Sequence, residues 1–235
     1  MNDILYLVKN GTENEELRYS LRTIEKNFPY GRVWIYGGCP EYIKPDKHVY
    51  IYQDVIGATK WERTTAMLKL ACENKDITDD FWLFNDDFFV TQPIPLEVMP
   101  NIYSGDLYKR IVEIEENNRR QIGAYSRRLR DTVQALTSAG YGVKNYATHT
   151  PMLINKAKAL ETIEKFSGLP MFRCLYGNMH NIGGKNRKTD VKISTIYEEY
   201  DGKSIYLSTT DESFRNGNAG NWIREHFTEP SRWER

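Results

Sequence analysis

Between Asp3 and Phe84 the chain changes its hydrophobic period four times, and few folds accommodate that order. Asp3–Val8 (DILYLV) is a short apolar run closed by the turn pair Asn10-Gly11. From Thr12 to Asn27 the spacing becomes helical. Thr12 precedes Glu15 by three residues as in a capping box, Leu17, Leu21, Ile24 and Phe28 recur on one face, and Pro29 ends the run. Val33–Tyr36 (VWIY), stopped by Gly37-Gly38, and His48–Gln53 (HVYIYQ) read as strands, Thr59–Cys72 as a helix and Phe81–Phe84 (FWLF) as a buried strand. Strand, helix, strand, strand, helix, strand is the order of an α/β fold, an open and mainly parallel central sheet flanked by helices. Further on, Leu107 to Ala139 is a charged helical arm, Tyr146–His149 a short strand, Ala157–Phe166 a helix, Val191–Ser194 and Ser204–Leu207 strands, and Asn221–Phe227 a closing helix. With no repeat or linker, 235 residues are expected to form a single domain, with the arm (101–145) inserted between halves 1–100 and 146–235.

Composition narrows the partners. The 32 Lys and Arg balance 32 Asp and Glu, which excludes a disordered acidic chain and a broadly basic nucleic-acid coat but leaves local patches open. Three separated cysteines without a CxxC pair (Cys39, Cys72, Cys174) argue against a disulfide framework or thiolate zinc site and point to a reducing compartment. No apolar run approaches the ~18 residues of a membrane span, and the N-terminus lacks a signal-peptide pattern, so a cytoplasmic protein with no membrane span is expected.

The sharpest local feature is Phe81-Trp82-Leu83-Phe84-Asn85-Asp86-Asp87-Phe88-Phe89. An amide and two carboxylates interrupt an apolar stretch at the expected carboxyl end of a strand, where open α/β sheets collect ligands. Like charges beside a core are costly unless a cation or donors offset them. Asn85, Asp86 and Asp87 are therefore candidate ligands for a hard ion, Mg²⁺ or Mn²⁺, which keeps waters and phosphate oxygens in its shell. The plainer alternative is an Asn/Asp turn.

The acidic triplet resembles the metal-binding DxD-type motif of GT-A glycosyltransferases, with Asn85 and Asp87 at the outer positions. NEELRYSLRTIEKNFPYGRVWIYGG, followed after a helix by FWLFNDDFFVTQPI, resembles the second signature region of the Stealth family, hexose-1-phosphate transferases and capsule-synthesis proteins. DILYLVKNG, with its DxxY pattern, resembles that family's first region, TKWERTTAMLKLA the helix before its acidic motif, and HTPMLINKAKALETI its third region. The family's tryptophan-containing form of the first motif is replaced here by Lys9-Asn10-Gly11. FRCLYGN, STTDESF and HFTEPSRWE resemble segments of small phage and bacterial glycosyltransferases. The resemblance implies a GT-A-like, Rossmann-type domain whose first half binds a nucleotide-sugar donor, a UDP-sugar first of all. A metal-dependent glycosyltransferase then acts on an acceptor glycan, cell-wall polymer or modified DNA. The alternatives are a Stealth-type sugar-1-phosphate transferase and a non-catalytic nucleotide- or glycan-binding module.

Donor phosphates need cations. Arg18 lies in the first helix, and Lys60 and Arg63 share a face of the second; each reads equally as ordinary surface charge. Arg22 is expected to pair with Glu15 or Glu25. Lys9 and Asn10, ending the first strand, are where the resemblance places a base or ribose. Asp190 and Asp211, each beside a strand, are rival general bases for an acceptor hydroxyl, and His149 before Thr150-Pro151 is a third catalytic candidate. His226 is a candidate late metal ligand implied by some GT-A enzymes, and His180 sits in a Gly-rich loop. Five arginines between Arg119 and Arg130 form either a solvated, paired helix face or a site for an anionic acceptor such as DNA phosphate.

Overall fold

The computed structural model describes residues 1–9, 11, 13–44, 50–52, 59–95, 101–117 and 122–235. The first half follows the expected order: β1 (Asp3–Val8), α1 (Glu15–Asn27), β2 (Val33–Gly37), β3 (Tyr50–Tyr52), α2 (Lys60–Glu73) and β4 (Asp80–Phe84). Next come β5 (Phe88–Val90), β6 (Ile102–Tyr103), α3 (Leu107–Asn117), α4 (Ala124–Ser138), β7 (Met152–Asn155), α5 (Lys156–Lys165) and α6 (Phe172–Met179). The chain closes with β8 (Lys185–Asn186), β9 (Lys192–Ile193), β10 (Tyr206–Thr209), α7 (Asp211–Arg215) and α8 (Asn218–His226).

The central sheet has the order β3-β2-β1-β4-β7. β1, β2, β3 and β4 are parallel, and β7 adds an antiparallel edge to β4. Alternation along β1 and β4 sends side chains to two cores. Ile4, Tyr6, Val8, Trp82 and Phe84 pack with Leu17, Leu21 and Ile24 of α1, while Leu5, Phe81 and Leu83 pack with Met67 and Leu68 of α2 and with α4–α6. Burying each such aliphatic or aromatic side chain contributes about 1.5–3 kcal/mol. The Asp3 carboxylate accepts hydrogen bonds from Trp34 Nε1 (2.8 Å), Arg32 N (2.7 Å) and Thr78 N (3.2 Å). It thus joins the amino ends of the strands, at the opposite end of the sheet from the acidic triplet.

The sheet order reverses between β1, joined to β2, and β4, and open α/β sheets collect ligands in the crevice beyond the carboxyl ends at such a reversal. Gly37 ends β2 there at φ 112°, with the Val8 carbonyl 2.0 Å from where a Cβ would stand, so no other residue fits. The chain then leaves the central sheet through Asn85-Asp86-Asp87 for a second sheet, β5-β10-β9, packed on α7 and α8 through Phe89, Leu207, Phe214 and Ile223.

Several expectations change. α1 is capped by Asn14, whose Oδ1 accepts from Leu17 N at 3.0 Å; Thr12 lies outside the described residues. His48, Val49 and Gln53 of the third strand also lie outside them. The arm is two helices, α3 and α4, held to the core by Leu107, Ile111, Leu129 and Leu136. Residues 146–149 are not a strand. Asn145 Oδ1 takes the Ala147 N–H and Asp190 takes the His149 N–H, which leaves too little backbone for a ladder, and β7 starts only after Pro151.

Candidate functional site

Asn85-Asp86-Asp87 is a turn, with Phe88 N donating to Asn85 O at 3.2 Å, and its two carboxylates are turned into the molecule. Asp86 Oδ2 accepts from Asn14 Nδ2 at 2.8 Å, so the residue that caps α1 also holds the turn. Burial and then the charge of Asp87 push the Asp86 carboxyl above the usual carboxylate range; the Asn14 donor and the Lys60 ammonium act against them. Asp87 Oδ2 meets Lys192 Nζ of β9 at 2.9 Å and accepts from Ser208 Oγ of β10 at 3.2 Å.

Two further ionisable groups that sequence reading did not single out border this turn. Glu16, in the first turn of α1, accepts a hydrogen bond from Thr209 Oγ1 at 2.8 Å. Burial pushes its carboxyl up to about 8; the charges of Asp87, Asp86 and Asp211 add to the effect, and the Thr209 hydroxyl opposes it. Arg173 of α6 buries its guanidinium against the turn. It donates to Thr150 O (2.7 Å), Leu83 O (3.0 Å) and Asn85 Oδ1 (3.4 Å) and lies 5.2 Å from the Phe88 ring centre. Burial brings Arg173 down to about 10 against the pull of Asp87, which leaves it charged at neutral pH. The helix that carries it begins at Met171, a non-glycine residue at φ 65°. A single cation in the apolar run Phe172-Arg173-Cys174-Leu175-Tyr176 is the signal that would have found it.

On the other side of Phe88, 6.2 Å away edge-on, stands His149, whose Nδ1 is 2.6 Å from Asp190 Oδ2. Burial acts to raise the Asp190 carboxyl, but the hydrogen bond and charge of His149 and the N–H groups of His149 and Val191 outweigh it and hold it below the ordinary range. An ionised carboxylate only accepts, so Nδ1 carries the proton of this pair, and in the neutral ring it is Nε2 that holds the free lone pair.

The remaining candidates fall in different places. Lys60 opens α2, capped by Thr59, and its charge reaches Asp86; Arg63 stands on the same turn, exposed. Lys9 is exposed one residue beyond β1, and Asn10 lies outside the described residues. Arg18 covers the Tyr42 ring at 4.3 Å and approaches Glu234 at 3.4 Å, and the Tyr42 hydroxyl donates to Asn14 O at 2.7 Å. Arg22 pairs with neither Glu15 nor Glu25 but with Glu234 through two bonds of 2.8 and 2.7 Å, because the C-terminal segment folds back onto α1. Asp211 is the exposed first residue of α7, near enough to act on Glu16. His226 gives Nδ1 to Trp222 O at 2.8 Å and stacks on the Trp222 ring. His180 is engaged by Thr162 and Lys158 O. Of the arginine stretch, Arg119 and Arg120 lie outside the described residues; Arg130 is paired with Glu115 at 2.6 Å, and Arg128 covers Trp61.

The donor chemistry of Asp86 and Asp87, adjacent oxygens of which those of Asp86 are made costlier to ionise by burial and by the Asp87 charge, fits a hard divalent ion. Among the described residues no group of three or more His, Cys, Asp or Glu side chains converges on one point, His226 included. Among the described residues the site would thus draw on two carboxylates, with phosphate oxygens and water completing the shell, as Mg²⁺ sites commonly do.

No family model matches the chain, and no curated protein matches it. Among solved structures, galactosyltransferase LgtC in complex with donor and acceptor sugar analogs is similar at a TM-score of 0.39 and 15% identity, over 74% of this chain and 68% of that one. An active-site mutant of LgtC is similar at a TM-score of 0.38 and 14% identity, over the same shares. At those values the overlap is loose, and it assigns neither donor nor acceptor to this chain. No helix among the described residues is long and apolar enough to cross a membrane.

Proposed function

We propose that the chain is a GT-A-type, metal-dependent glycosyltransferase that moves a sugar from a nucleotide-sugar donor, a UDP-sugar first of all, to an acceptor hydroxyl. The observation that supports this is the meeting of an inward-turned acidic turn with buried and near-buried cations at the β1/β4 crevice, a His–Asp pair standing beside it. Mn²⁺ or Mg²⁺ held through Asp86 and Asp87, beside the Asn85 amide oxygen, supplies Lewis-acid stabilisation of a departing diphosphate when bound. Lys60 and Lys192 place positive charge where the donor phosphates lie. Arg173, fixed by three carbonyl-type acceptors, holds Asn85 and the end of β4 in position. Asp190 keeps His149 in the tautomer whose Nε2 takes the proton of the acceptor hydroxyl, and Asp211 is the second candidate for that role.

The test is to incubate the protein with Mn²⁺ and a set of nucleotide-sugars and identify the nucleotide released. A nucleoside diphosphate agrees with glycosyl transfer; a nucleoside monophosphate replaces it with sugar-1-phosphate transfer. Binding without turnover over a wide acceptor screen returns the fold to a nucleotide-binding module.

A further inference from the structure

A cavity of about 630 Å³ opens on the Asp190 side of the His149–Asp190 pair, between the start of α3, the 145–148 segment and the 186–190 loop. We propose that this cavity binds an oxyanion group of the acceptor, a carboxylate or phosphate carried on a sugar or polyol; the assignment rests on the glycosyltransferase reading above.

Charge accounting inside the cavity carries the proposal. Three carboxylates line it, and each is already engaged: Asp106 Oδ1 accepts from Lys109 N at 2.8 Å, Glu113 pairs with Arg110 at 3.5 Å, and Asp190 holds His149 at 2.6 Å. Four cations line the same space. Arg110 is spent on Glu113, and Arg187 has only the Ser204 hydroxyl at 3.3 Å. Lys109 and Lys188 have no ion-pair partner among the described residues. Four cations against three carboxylates leave the concave space with a formal excess of one positive charge, and its attraction for an anion is stronger there than on a flat, salt-screened surface. The remaining lining, Ser104, Asn145, Thr148, Asn186 and Thr189, is hydroxyl and amide, suited to the hydroxyls of a polyol. The volume suits one or two sugar-sized units. It does not suit a nucleic-acid duplex, and of the α4 arginines Arg130 is ion-paired with Glu115. Asp190 lines the cavity and holds His149, so an anion anchored at Lys109 and Lys188 brings the acceptor's hydroxyls toward the general base.

The experiment titrates glycerol 3-phosphate and glucuronate, with glycerol and glucose as neutral counterparts, into wild type and a Lys109→Glu/Lys188→Glu variant, following amide shifts by NMR. Both lysines are exposed, so the variant should fold, and its melting temperature checks this. Binding of a nucleoside diphosphate is measured on the same samples. The expected result is that an anion binds wild type, shifts the amides of Gly105, Asn186 and Thr189, and weakens at least tenfold in the variant, while nucleotide binding is equal in both. A preference for phosphate identifies a polyol-phosphate acceptor and a preference for carboxylate an acidic sugar. Anions that bind no better than their neutral counterparts, or equally well in the variant, overturn the proposal, and intact nucleotide binding then leaves the glycosyltransferase reading standing. Anion binding at the cavity in a wild type that binds no nucleotide overturns the acceptor assignment along with that reading.

Discussion

Replacing His149 by Ala is expected to lower turnover about 10²–10⁴-fold, the usual worth of a positioned general base. Nucleotide affinity should be unchanged, since no donor cation touches this histidine. Asp190→Asn should act in the same direction by freeing the tautomer, whereas Asp211→Asn should leave turnover nearly intact; steady-state rates and nucleotide titrations separate the two. Glu16 offers a pH signature. Its folded carboxyl titrates at about 8, while an unfolded one titrates at about 4.3. The protonated form therefore contributes stability that is fully present below about 4.3 and is lost as pH rises through about 8. Glu16→Gln keeps an acceptor for Thr209 without the charge. Relative to wild type it should gain more than about 1.4 kcal/mol between pH 5 and pH 8.5 in urea unfolding with chelator present, since a folded carboxyl at about 8 holds its proton far more than tenfold tighter than the unfolded one. A difference that does not change with pH would contradict the buried, proton-holding carboxyl. Glu16 was not legible in sequence because Glu13, Glu15 and Glu16 look alike as acids near the start of a helix, and only the approach of Thr209 from β10 sets one apart. Asp86 and Asp87 were legible because they break an apolar run on both sides.

At the scale of elements, the N-terminus of α1 and the acidic turn are one unit through Asn14. Asn14→Ala should cost about 1–2 kcal/mol, for the lost cap and for the Asp86 oxygen left without its donor. Asn14→Ser should recover the cap but not the Asp86 bond, so the two variants should separate in nucleotide or metal affinity more than in helix stability. Equal affinities would show that the cap alone matters. Arg173→Met should cost about 2–4 kcal/mol because it strands buried carbonyl acceptors, and Arg173→Lys should recover only part, since one ammonium cannot reach what the guanidinium fork spans. The long elements were readable because each displays a full period of burial. β5, β6, β8 and β9 were not, or only in part. Two or three residues carry no period, and these strands exist because distant partners pair with them, β5 with β10 and β6 with β8. The sequence pattern places a strand at Tyr146–His149 and none at β7 for a related reason: Asn145 and Asp190 take backbone N–H groups that propensity alone assigns to a ladder.

Across the whole molecule, the C-terminal segment is fastened to α1 by a carboxylate that is only 5% exposed, Glu234, held by both arms of Arg22. Burial acts to raise this carboxyl, but Arg22 and the Ser231 N–H and hydroxyl outweigh it and hold it low. Its stabilisation is therefore present above the unfolded glutamate value of ~4.3 and lost as pH falls through the lower folded value. Glu234→Ala should cost about 3–5 kcal/mol by leaving Arg22 unpaired, and a cost under about 1 kcal/mol, the range of an exposed pair, would show that the closure is superficial. That contact joins residues 212 positions apart, and no local pattern announces it. For the acidic turn, the most direct test is a calorimetric titration of UDP and GDP with and without Mn²⁺ into wild type and Asp87→Ala. Nucleotide binding is expected to require the metal in wild type and to lose that metal dependence in the variant. Absence of nucleotide binding under every metal condition, or a metal dependence that survives Asp87→Ala, would contradict this expectation and leave Asn85-Asp86-Asp87 a turn that joins two sheets.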